Sequence, residues 1–173
     1  MVNSRRKGSK NERKIAYWFK EWTGYDFART PSSGGLRWKG MDTVIGDIVC
    51  TDKEHSLIFP FSIECKVRDD ISFEHLLLDV KSEIREFWDQ CTRDSERGSK
   101  LPLLFMRYKN MPSDVYFIVM NIKTYRKIVT LINTIHGKIL YKKGDYNLII
   151  LHSSDLKNTE YSKILIKLMK NRE

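Results

Sequence analysis

The feature that most constrains the fold is a pair of apolar runs between residues 47 and 66, separated by a polar stretch at 52–55. Two short apolar runs joined by turn-forming residues predict a β-hairpin. The first run follows Asp47 directly, and the second ends in an alternation that includes Glu64 and Lys66. Because side chains two positions apart on a strand share a face, Glu64 and Lys66 are expected to project together. The apolar residues expected on the opposite face are Leu57, Phe59, Phe61, Ile63 and Cys65.

The other strand of this hairpin can bring Asp47 beside Glu64 and Lys66, which would gather two carboxylates and an amine at one point. Mg²⁺ binds hard oxygen ligands, so one or two carboxylates and a substrate phosphate can hold it. A bound metal ion polarises a phosphate, and a nearby lysine can orient the attacking water. The pattern therefore favours metal-assisted cleavage of a phosphodiester. Asp42 is a second acidic candidate, but Asp47 is preferred because it directly opens an apolar run, whereas Asp42 lies in a loop.

The charge of the chain favours a polyanionic partner. Its 173 residues include 31 Lys and Arg against 22 Asp and Glu, which gives a formal net charge of +9. This balance is typical of nucleic-acid-binding proteins, although charge alone is a weak signal. No apolar run approaches the roughly 18 residues that would span a bilayer, and the N-terminus lacks a signal-peptide core. We therefore expect a soluble protein of the cytoplasm, with no membrane partner.

Cysteine and histidine provide no recognisable metal motif. The three cysteines are odd in number and lack metal-site spacing, which favours reduced structural thiols. The four histidines are scattered along the chain and form no pattern that is typical of zinc binding. The sequence therefore does not predict a zinc site. The histidines are His55, His75, His136 and His152.

Residues 1–8 are polar and basic, and two interpretations of them remain open. They could form a flexible arm that follows a DNA backbone, or a disordered tail that only aids solubility. In the first case the candidate DNA-binding residues are Arg5, Arg6 and Lys7, together with Lys10 just beyond the arm.

Ser9 and Glu12 match a capping box, which predicts a helix that begins at Ser9 and ends near Gly24. Glu12 also lies on the apolar stripe of this helix, where its carboxylate would face the core and need a compensating cation or donor. Glu12 is therefore a candidate for a structural cap and for an active-site residue, and the two roles are not exclusive.

A strand predicted at 25–30 is followed by a loop rich in Pro, Ser and Gly. Hydroxyl and backbone N–H groups of such a loop can bind a phosphate, and basic side chains beside it add positive charge. Most loops of this composition are only connections, so the signal is weak by itself. The candidate DNA-binding residues of this region are Arg29, Ser32, Arg37 and Lys39.

The sequence beyond Lys66 predicts further helices and strands without a linker or repeat. A long amphipathic helix is expected at 73–95 with Gln90 near its end, and a buried strand at 101–108. A lone glutamine on a helix usually faces solvent, so Gln90 carries little functional signal by itself.

The last third of the sequence predicts a helix capped by Asn121 that runs to about residue 133, and a closing basic helix capped by Ser153 or Ser154. Strands are predicted at 115–120, 138–141 and 147–151. We expect one α/β domain over residues 1–173, with core motifs at 9–108 and a C-terminal extension at 109–173.

The order of these pieces resembles the PD-(D/E)XK nuclease superfamily with its restriction-endonuclease-like fold, and more specifically the archaeal-type Holliday junction resolvases. That family has a glutamate on its first helix, an Arg-containing strand and a loop with a catalytic serine. An aspartate that opens a strand, an E-x-K motif and a glutamine on the next helix follow. The matching residues here are Glu12, Arg29, Ser33, Asp47, Glu64, Lys66 and Gln90.

The resemblance implies an α/β fold with a central mixed β-sheet flanked by helices, and a metal-dependent endonuclease. It implies a homodimer that cuts four-way DNA junctions at two opposed strands. The implied cofactor is Mg²⁺, for which Mn²⁺ would substitute, held by Asp47, Glu64 and the backbone carbonyl of Cys65, with Glu12 acting through a water or a second ion. The implied catalytic residues are Glu12, Ser33, Asp47, Glu64, Lys66 and Gln90.

Two departures from this family leave the substrate open. Gly46 stands where the motif name has a proline, and the segment between Lys66 and Gln90 is longer than usual in these resolvases. Another nuclease of the same fold, acting on linear, flap or single-stranded DNA, is the first alternative. A non-catalytic nucleic-acid-binding module is the second, although such a module has no need of an intact set of Asp47, Glu64 and Lys66.

Overall fold

A computed structural model describes residues 4–30, 44–78 and 80–170, with side chains from Lys7 onward within these ranges. The helices are α1 (Ser4–Thr23), α2 (Lys53–Ile58), α3 (Glu74–Leu77), α4 (Glu83–Arg97), α5 (Ile122–Ile128), α6 (Ser153–Lys157) and α7 (Tyr161–Met169). The strands are β1 (Phe27–Arg29), β2 (Ile48–Cys50), β3 (Phe61–Arg68), β4 (Leu101–Tyr108), β5 (Phe117–Asn121), β6 (Lys138–Lys143) and β7 (Tyr146–His152).

The seven strands form one mixed sheet in the order β1-β2-β3-β4-β5-β7-β6. Strands β3 and β4 are parallel, and every other neighbouring pair is antiparallel. The parallel pair requires a crossover, which α3 and α4 supply. The predicted α/β architecture, a central mixed sheet flanked by helices, is confirmed.

Two apolar clusters cover the two faces of the sheet. Trp18 and Phe19 of α1 belong to the first cluster, which also includes residues of β5, β7 and α7. Phe87 and Trp88 of α4 belong to the second cluster, against β4 and β7. The helix period of α1 and α4 places these large side chains on one stripe of each helix, and burial of that stripe fixes the helices to opposite faces.

The predicted hairpin is present, but its connection is a helix. Ile48 of β2 pairs antiparallel with Ile63 of β3. The stretch predicted as a turn instead begins α2, because the side chain of Asp52 accepts a hydrogen bond from the backbone N–H of His55 at 2.7 Å and caps the helix. The second strand therefore begins at Phe61, and Leu57, predicted on its apolar face, lies on α2 with 84% of its surface exposed.

The first helix begins earlier than predicted. Helix α1 starts at Ser4, so Ser9 lies inside the helix and the predicted capping box is wrong. Residues 4–8 are helical where a flexible arm was expected. The helix predicted at 73–95 is interrupted between α3 and α4, and Leu77 of α3 is 84% exposed.

The C-terminal strands β5, β6 and β7 continue the same sheet as β1 to β4. The cap predicted at Asn121 is confirmed, since its side chain accepts from the N–H of Lys123 at 2.7 Å. Helix α5 is shorter than predicted, because it ends at Ile128 and gives way to a 3₁₀ turn at Val129–Leu131. The closing helix is divided into α6 and α7, and His152 rather than a serine caps α6.

Candidate active site

Backbone contacts fix Asp47 against strand β3. Its N–H donates to the carbonyl of Ile63 at 2.7 Å, and its Oδ2 accepts from the N–H of Cys65 at 2.8 Å. On the other side, the N–H of Thr30 donates to the Asp47 carbonyl at 2.8 Å. The backbone of Asp47 is therefore fixed by β3 and by Thr30, which follows β1, and its carboxylate is oriented by the N–H of Cys65.

Gly46 allows this close approach of two backbones. Its φ of +82° is a left-handed conformation that glycine tolerates, and a Cβ at this position would lie 2.5 Å from the carbonyl oxygen of Ile63. Proline, whose ring fixes φ near about −65°, cannot adopt it. The glycine in place of the motif's proline is thus a geometric requirement of this chain.

Strand β3 and helix α4 bring together a buried hydrogen-bonded triad of Glu64, Lys66 and Gln90. Lys66 Nζ lies 2.6 Å from Glu64 Oε1 and 2.8 Å from Gln90 Oε1. Gln90 Nε2 donates to the same Glu64 Oε1 at 2.8 Å. The Glu64 and Lys66 side chains are only 5% and 16% exposed. The ammonium group is therefore held in one place by two acceptors rather than left mobile in solvent.

Glu12 reaches the site from helix α1 and forms an ion pair with Arg29 of β1. The two side chains meet at 2.6 Å between Arg29 Nε and Glu12 Oε2, and they are 26% and 18% exposed. This contact supplies the compensating cation that an inward-facing Glu12 requires. It also occupies the guanidinium group of Arg29, which was predicted as a DNA contact.

The electrostatics of this site oppose ionisation of its carboxylates. Burial, followed by the charge of Glu64, raises the pKa of Asp47 from 3.8 to about 7, although the N–H of Cys65 and the charge of Lys66 act in the opposite direction. Burial also raises the pKa of Glu64, and the hydrogen bond and charge of Lys66 offset only part of this shift. One lysine thus does not compensate both carboxylates.

These groups line one cleft of about 580 Å³, which we call the carboxylate cleft. It is lined by Asn11, Glu12, Asp47, Glu64, Lys66 and Gln90, among others. Among the described residues, none donates a hydrogen bond to Asp47 Oδ1 or Glu64 Oε2. Two desolvated carboxylates, each with one oxygen still without a donor, suit a divalent cation with oxygen ligands. The residues present therefore fit such an ion.

A family model described as "Phage putative PDDEXK endonuclease" matches residues 3–166. The chain belongs to this family. It therefore has the restriction-endonuclease-like PD-(D/E)XK fold of this endonuclease family, and nucleases of this superfamily typically use divalent metal ions.

One curated relative is Protein D14 of Escherichia phage T5, which is 26% identical to this chain over 107 residues. The aligned stretch covers 61% of the chain and 65% of Protein D14, just under two thirds of that relative. No solved structure matches the chain. Within the described part of the chain, no helix is long and apolar enough to cross a membrane.

The structure brings five of the six predicted catalytic residues to the carboxylate cleft. These are Glu12, Asp47, Glu64, Lys66 and Gln90, and Cys65 also lines the cleft. Lys7 lines it as well, whereas Lys10 lies on the neighbouring surface. Arg5 and Arg6 lie on α1, where the structure describes the backbone alone. The remaining predicted residues lie outside the described ranges: Ser32, Ser33, Arg37, Lys39 and the alternative Asp42.

Beside the cleft, sequence reasoning predicted Lys7 and Lys10 but missed the basic residues Lys14, Arg68, Arg107 and Lys109. A second depression of about 250 Å³ adjoins the cleft and shares Lys7, Asn11 and Arg68 with it. We call this surface the basic groove, and its cationic residues are Lys7, Lys10, Lys14, Arg68, Arg107 and Lys109. The spacing of Lys7, Lys10 and Lys14 along α1 is a helical signal that could have placed these three on one face.

Asn11 was also missed, and it lies between the cleft and the groove. The residue is 6% exposed, and its Nδ2 has no hydrogen-bond partner among the described residues. A buried amide donor without an acceptor is destabilising, so an oxygen-bearing ligand in the cleft would satisfy it. An asparagine inside a basic helix gives no such signal in the sequence.

Proposed function

We propose that this nuclease is a Mg²⁺-dependent, structure-specific DNA endonuclease that cuts four-way junctions. The observation that carries the proposal is the convergence of Glu12, Asp47, Glu64, Lys66 and Gln90 in one cleft. These residues also follow one another along the chain in the order that resembles the archaeal-type Holliday junction resolvases. Family membership supports the nuclease class, and the junction specificity is our proposal.

In this proposal the divalent ion is held by Asp47, Glu64 and the backbone carbonyl of Cys65, with Glu12 acting through a water or a second ion. Mn²⁺ would substitute for Mg²⁺, since both accept carboxylate and carbonyl oxygens. When bound, the cation polarises the scissile phosphate and favours hydroxide formation. The raised pKa values of Asp47 and Glu64 support this assignment, because a dication restores the balance of charge that one lysine leaves incomplete.

Lys66 orients the attacking water and offsets negative charge that develops on the phosphate. Its contact with Gln90 fixes the ammonium group in the cleft, so Gln90 acts by positioning Lys66. Ser33 contacts the scissile phosphate or a neighbouring one. Arg29 holds the Glu12 carboxylate in place, and this use is supported by their 2.6 Å contact.

Affinity for DNA comes from the basic groove and from the residues predicted at the N-terminus and in the Ser/Gly loop. Positive side chains beside the cleft neutralise phosphates and position a duplex arm without reading its sequence. The predicted contributors are Arg5, Arg6, Lys7, Lys10, Ser32, Arg37 and Lys39. A homodimer would present two clefts to two opposed strands of a junction.

A substrate panel tests the specificity. The nuclease is incubated with a four-way junction, a flap, a single strand and a linear duplex, each with Mg²⁺, Ca²⁺ or EDTA. We expect paired symmetric nicks near the branch point in the presence of Mg²⁺ alone. Preferential cutting of the flap, single strand or linear duplex would instead assign another specificity within the same nuclease class.

Variants of the two acidic residues test the site itself. Asp47→Ala and Glu64→Ala should abolish cleavage while junction binding is largely retained, because basic surface residues supply most of the affinity. Glu96→Ala removes an exposed carboxylate from α4 and is the matched control. Near-wild-type cleavage by the Asp47 and Glu64 variants would refute the assignment of this cleft.

Mixing experiments test the homodimer. Wild-type and Glu64→Ala chains are refolded together and given a junction in molar excess. If the protein is a dimer with two independent sites, a dimer of one wild-type and one variant chain should nick only one strand. Singly nicked junctions should therefore increase in proportion to the fraction of mixed dimers. A monomeric mass in sedimentation, both alone and with DNA, would contradict it.

A further inference from the structure

Two histidines and an aspartate that are distant along the chain meet at the far end of strand β7. They are His136, His152 and Asp155, and each offers one ligand atom within 4.8 Å of the others. Among the described residues that could ligate a metal, this group of three satisfies that criterion, and none of its members lines the carboxylate cleft. The nuclease chemistry proposed above does not use these side chains.

The register of the sheet explains why these residues meet. Lys138 of β6 pairs with Leu151 of β7 in an antiparallel ladder. Continued by two residues, this register brings His136 to the end of β7, where His152 and the first turn of α6 follow. Asp155 is three residues beyond His152, a spacing that the turn into α6 folds back toward the strand.

The carboxylate of Asp155 is buried and oriented. Its side chain has 0% exposure, and it forms a very short contact with His136 Nδ1. The backbone N–H of His136 donates to both of its oxygens, at 3.1 and 3.3 Å. A carboxylate removed from water in this way is stable only with a compensating cation or hydrogen-bond donors, and a bound metal ion would add positive charge to the donors already present.

The hydroxyl oxygen of Ser154 is a fourth potential metal ligand beside His136, His152 and Asp155. Ser154 Oγ lies 2.5 Å from His152 Nδ1 and 3.5 Å from His136 Nδ1. Ligand atoms of a tetrahedral zinc ion with bonds of about 2.0 Å lie about 3.3 Å apart. The 3.5 Å separation is close to that value, whereas the 2.5 Å separation is a hydrogen bond that would lengthen when a metal ion binds. The weak 3.3 Å contact from the Ser154 N–H to His152 Nδ1 is the one backbone bond that a metal at this nitrogen would replace.

We propose that His136, His152 and Asp155 form a structural zinc site, with Ser154 or a water as fourth ligand. Two imidazoles and one carboxylate form a ligand set that favours zinc over Mg²⁺, because the ligands of Mg²⁺ in proteins are oxygens. The bound ion joins the segment before β6 to the start of α6 and thereby ties the β6–β7 hairpin to the C-terminal helices. This site is distinct in chemistry and position from the metal site proposed in the carboxylate cleft.

Metal stoichiometry of the full chain tests the proposal. Protein freed of any affinity tag is stripped of metal with EDTA, incubated with Zn²⁺ and desalted. Its bound metal is then measured by elemental mass spectrometry. The measurement is made on the Asp47→Asn, Glu64→Gln double variant, so that zinc in the carboxylate cleft does not contribute. We expect one zinc per chain, with an increased melting temperature, and little Mg²⁺ retained under the same conditions.

His136→Ala and His152→Ala in that background should lose the zinc and its thermal stabilisation. Removal of a direct ligand should weaken binding by more than the roughly 10- to 100-fold that loss of an outer-shell partner costs. His75→Ala, a partly exposed histidine of α3, is the matched control and should retain one zinc. Cobalt substitution gives an independent readout, because tetrahedral Co²⁺ with nitrogen ligands has strong visible absorption.

Two results would overturn the proposal: no stoichiometric zinc in the parent protein, or unchanged zinc binding by both histidine variants. His136 is 51% exposed on a connecting segment, and its backbone N–H, which donates to Asp155, is retained in the alanine variant. The variant is therefore expected to fold, and circular dichroism of each metal-free protein verifies this. If His152→Ala fails to fold, because His152 also caps α6, His136→Ala decides the outcome.

Discussion

The position of Asp47 is unfavourable for its charged carboxylate but suited to binding a cation. Burial and the neighbouring charge of Glu64 raise its pKa, while the N–H of Cys65 donates to its Oδ2 and orients the carboxylate. In the free protein this carboxylate is therefore a source of instability above neutral pH. A bound cation would reverse the sign of that contribution.

The pH dependence of stability tests this state of Asp47. A carboxyl group with a raised pKa binds its proton more tightly in the folded state, so stability is lost as pH rises from about 4 to about 7. Asn cannot ionise and can still accept from the N–H of Cys65. In EDTA above pH about 8, Asp47→Asn should be more stable than the wild type, by up to about 4 kcal/mol for a shift from 3.8 to about 7.

Urea unfolding at a series of pH values measures this difference in the free energy of unfolding. The advantage of the variant should vanish below pH about 4, where Asp47 is neutral in both states. Mg²⁺ should stabilise the wild type more than the variant. A stability difference between variant and wild type that is constant at all pH values would show that the pKa of Asp47 is not raised in the folded state.

Gly46 carries a second residue-scale prediction. Gly46→Ala places a Cβ 2.5 Å from a backbone carbonyl, whereas Gly24, with a similar φ of +81°, has no atom within 4 Å of such a Cβ. Gly24→Ala should therefore cost only the roughly 1–2 kcal/mol of a left-handed residue. Gly46→Ala should cost about 1–3 kcal/mol more, as overpacking does, and should impair cleavage by displacing Asp47.

Equilibrium unfolding of both alanine variants, with cleavage rates at saturating Mg²⁺, makes this comparison. Equal losses of stability would indicate that the contact with Ile63 relaxes without consequence. In that event the positive φ of Gly46 would remain the reason why proline is absent from this position.

At the scale of elements, helix α1 has two faces with different functions. Its apolar stripe, which includes Ile15 and Phe19, is buried against the sheet. Its basic side chains Lys10 and Lys14 line the basic groove beside Glu12. The burial that fixes the helix to the sheet therefore also fixes the direction in which these lysines extend.

The salt dependence of DNA binding tests this use of α1. Lys10→Gln with Lys14→Gln should weaken junction binding and reduce the slope of log K against log salt by about 2, since each lost phosphate contact contributes about 0.9. Lys20→Gln is the control on the same helix, because Lys20 pairs with Asp26 at 2.6 Å and lies outside the groove. Equal slopes for the double variant and the control would exclude the groove as a DNA track.

At the scale of the whole molecule, the two ends of the chain share one core. Trp22 of α1 donates through Nε1 to the carbonyl of Thr159 at 2.9 Å and packs on Tyr161 with ring centroids 5.1 Å apart. Strands β5 and β7 also continue the sheet beside β4. The residues that line the carboxylate cleft depend on a scaffold that the last third of the chain completes.

Truncation tests this dependence. A fragment of residues 1–108 contains every predicted catalytic residue, yet it would expose one edge of β4 and the apolar face of α1 that the C-terminal elements cover. We expect it to lack a cooperative thermal transition, near-ultraviolet circular dichroism and cleavage activity. A cooperatively folding, active fragment would show that the C-terminal strands are dispensable.

Local sequence patterns were enough to predict several parts of this protein. The alternation around Glu64 and Lys66, the strand at 101–108 and the cap at Asn121 depend on the geometry of a few consecutive residues. Such features follow from strand period and hydrogen bonding within one turn, which act before distant contacts form. The order of acidic, lysine and glutamine residues likewise indicated the nuclease class.

The tertiary structure decided what depends on residues far apart. The sequence alone could not show that Arg29 pairs with Glu12, that Gln90 holds Lys66, or that His136 meets His152 and Asp155. Sequence reasoning also misplaced the start of α1 and missed the interruption between α3 and α4. Local periodicity specifies which face of a helix or strand a side chain occupies. Packing and strand register specify which distant residues contact that face, and the chemistry of a site depends on those contacts.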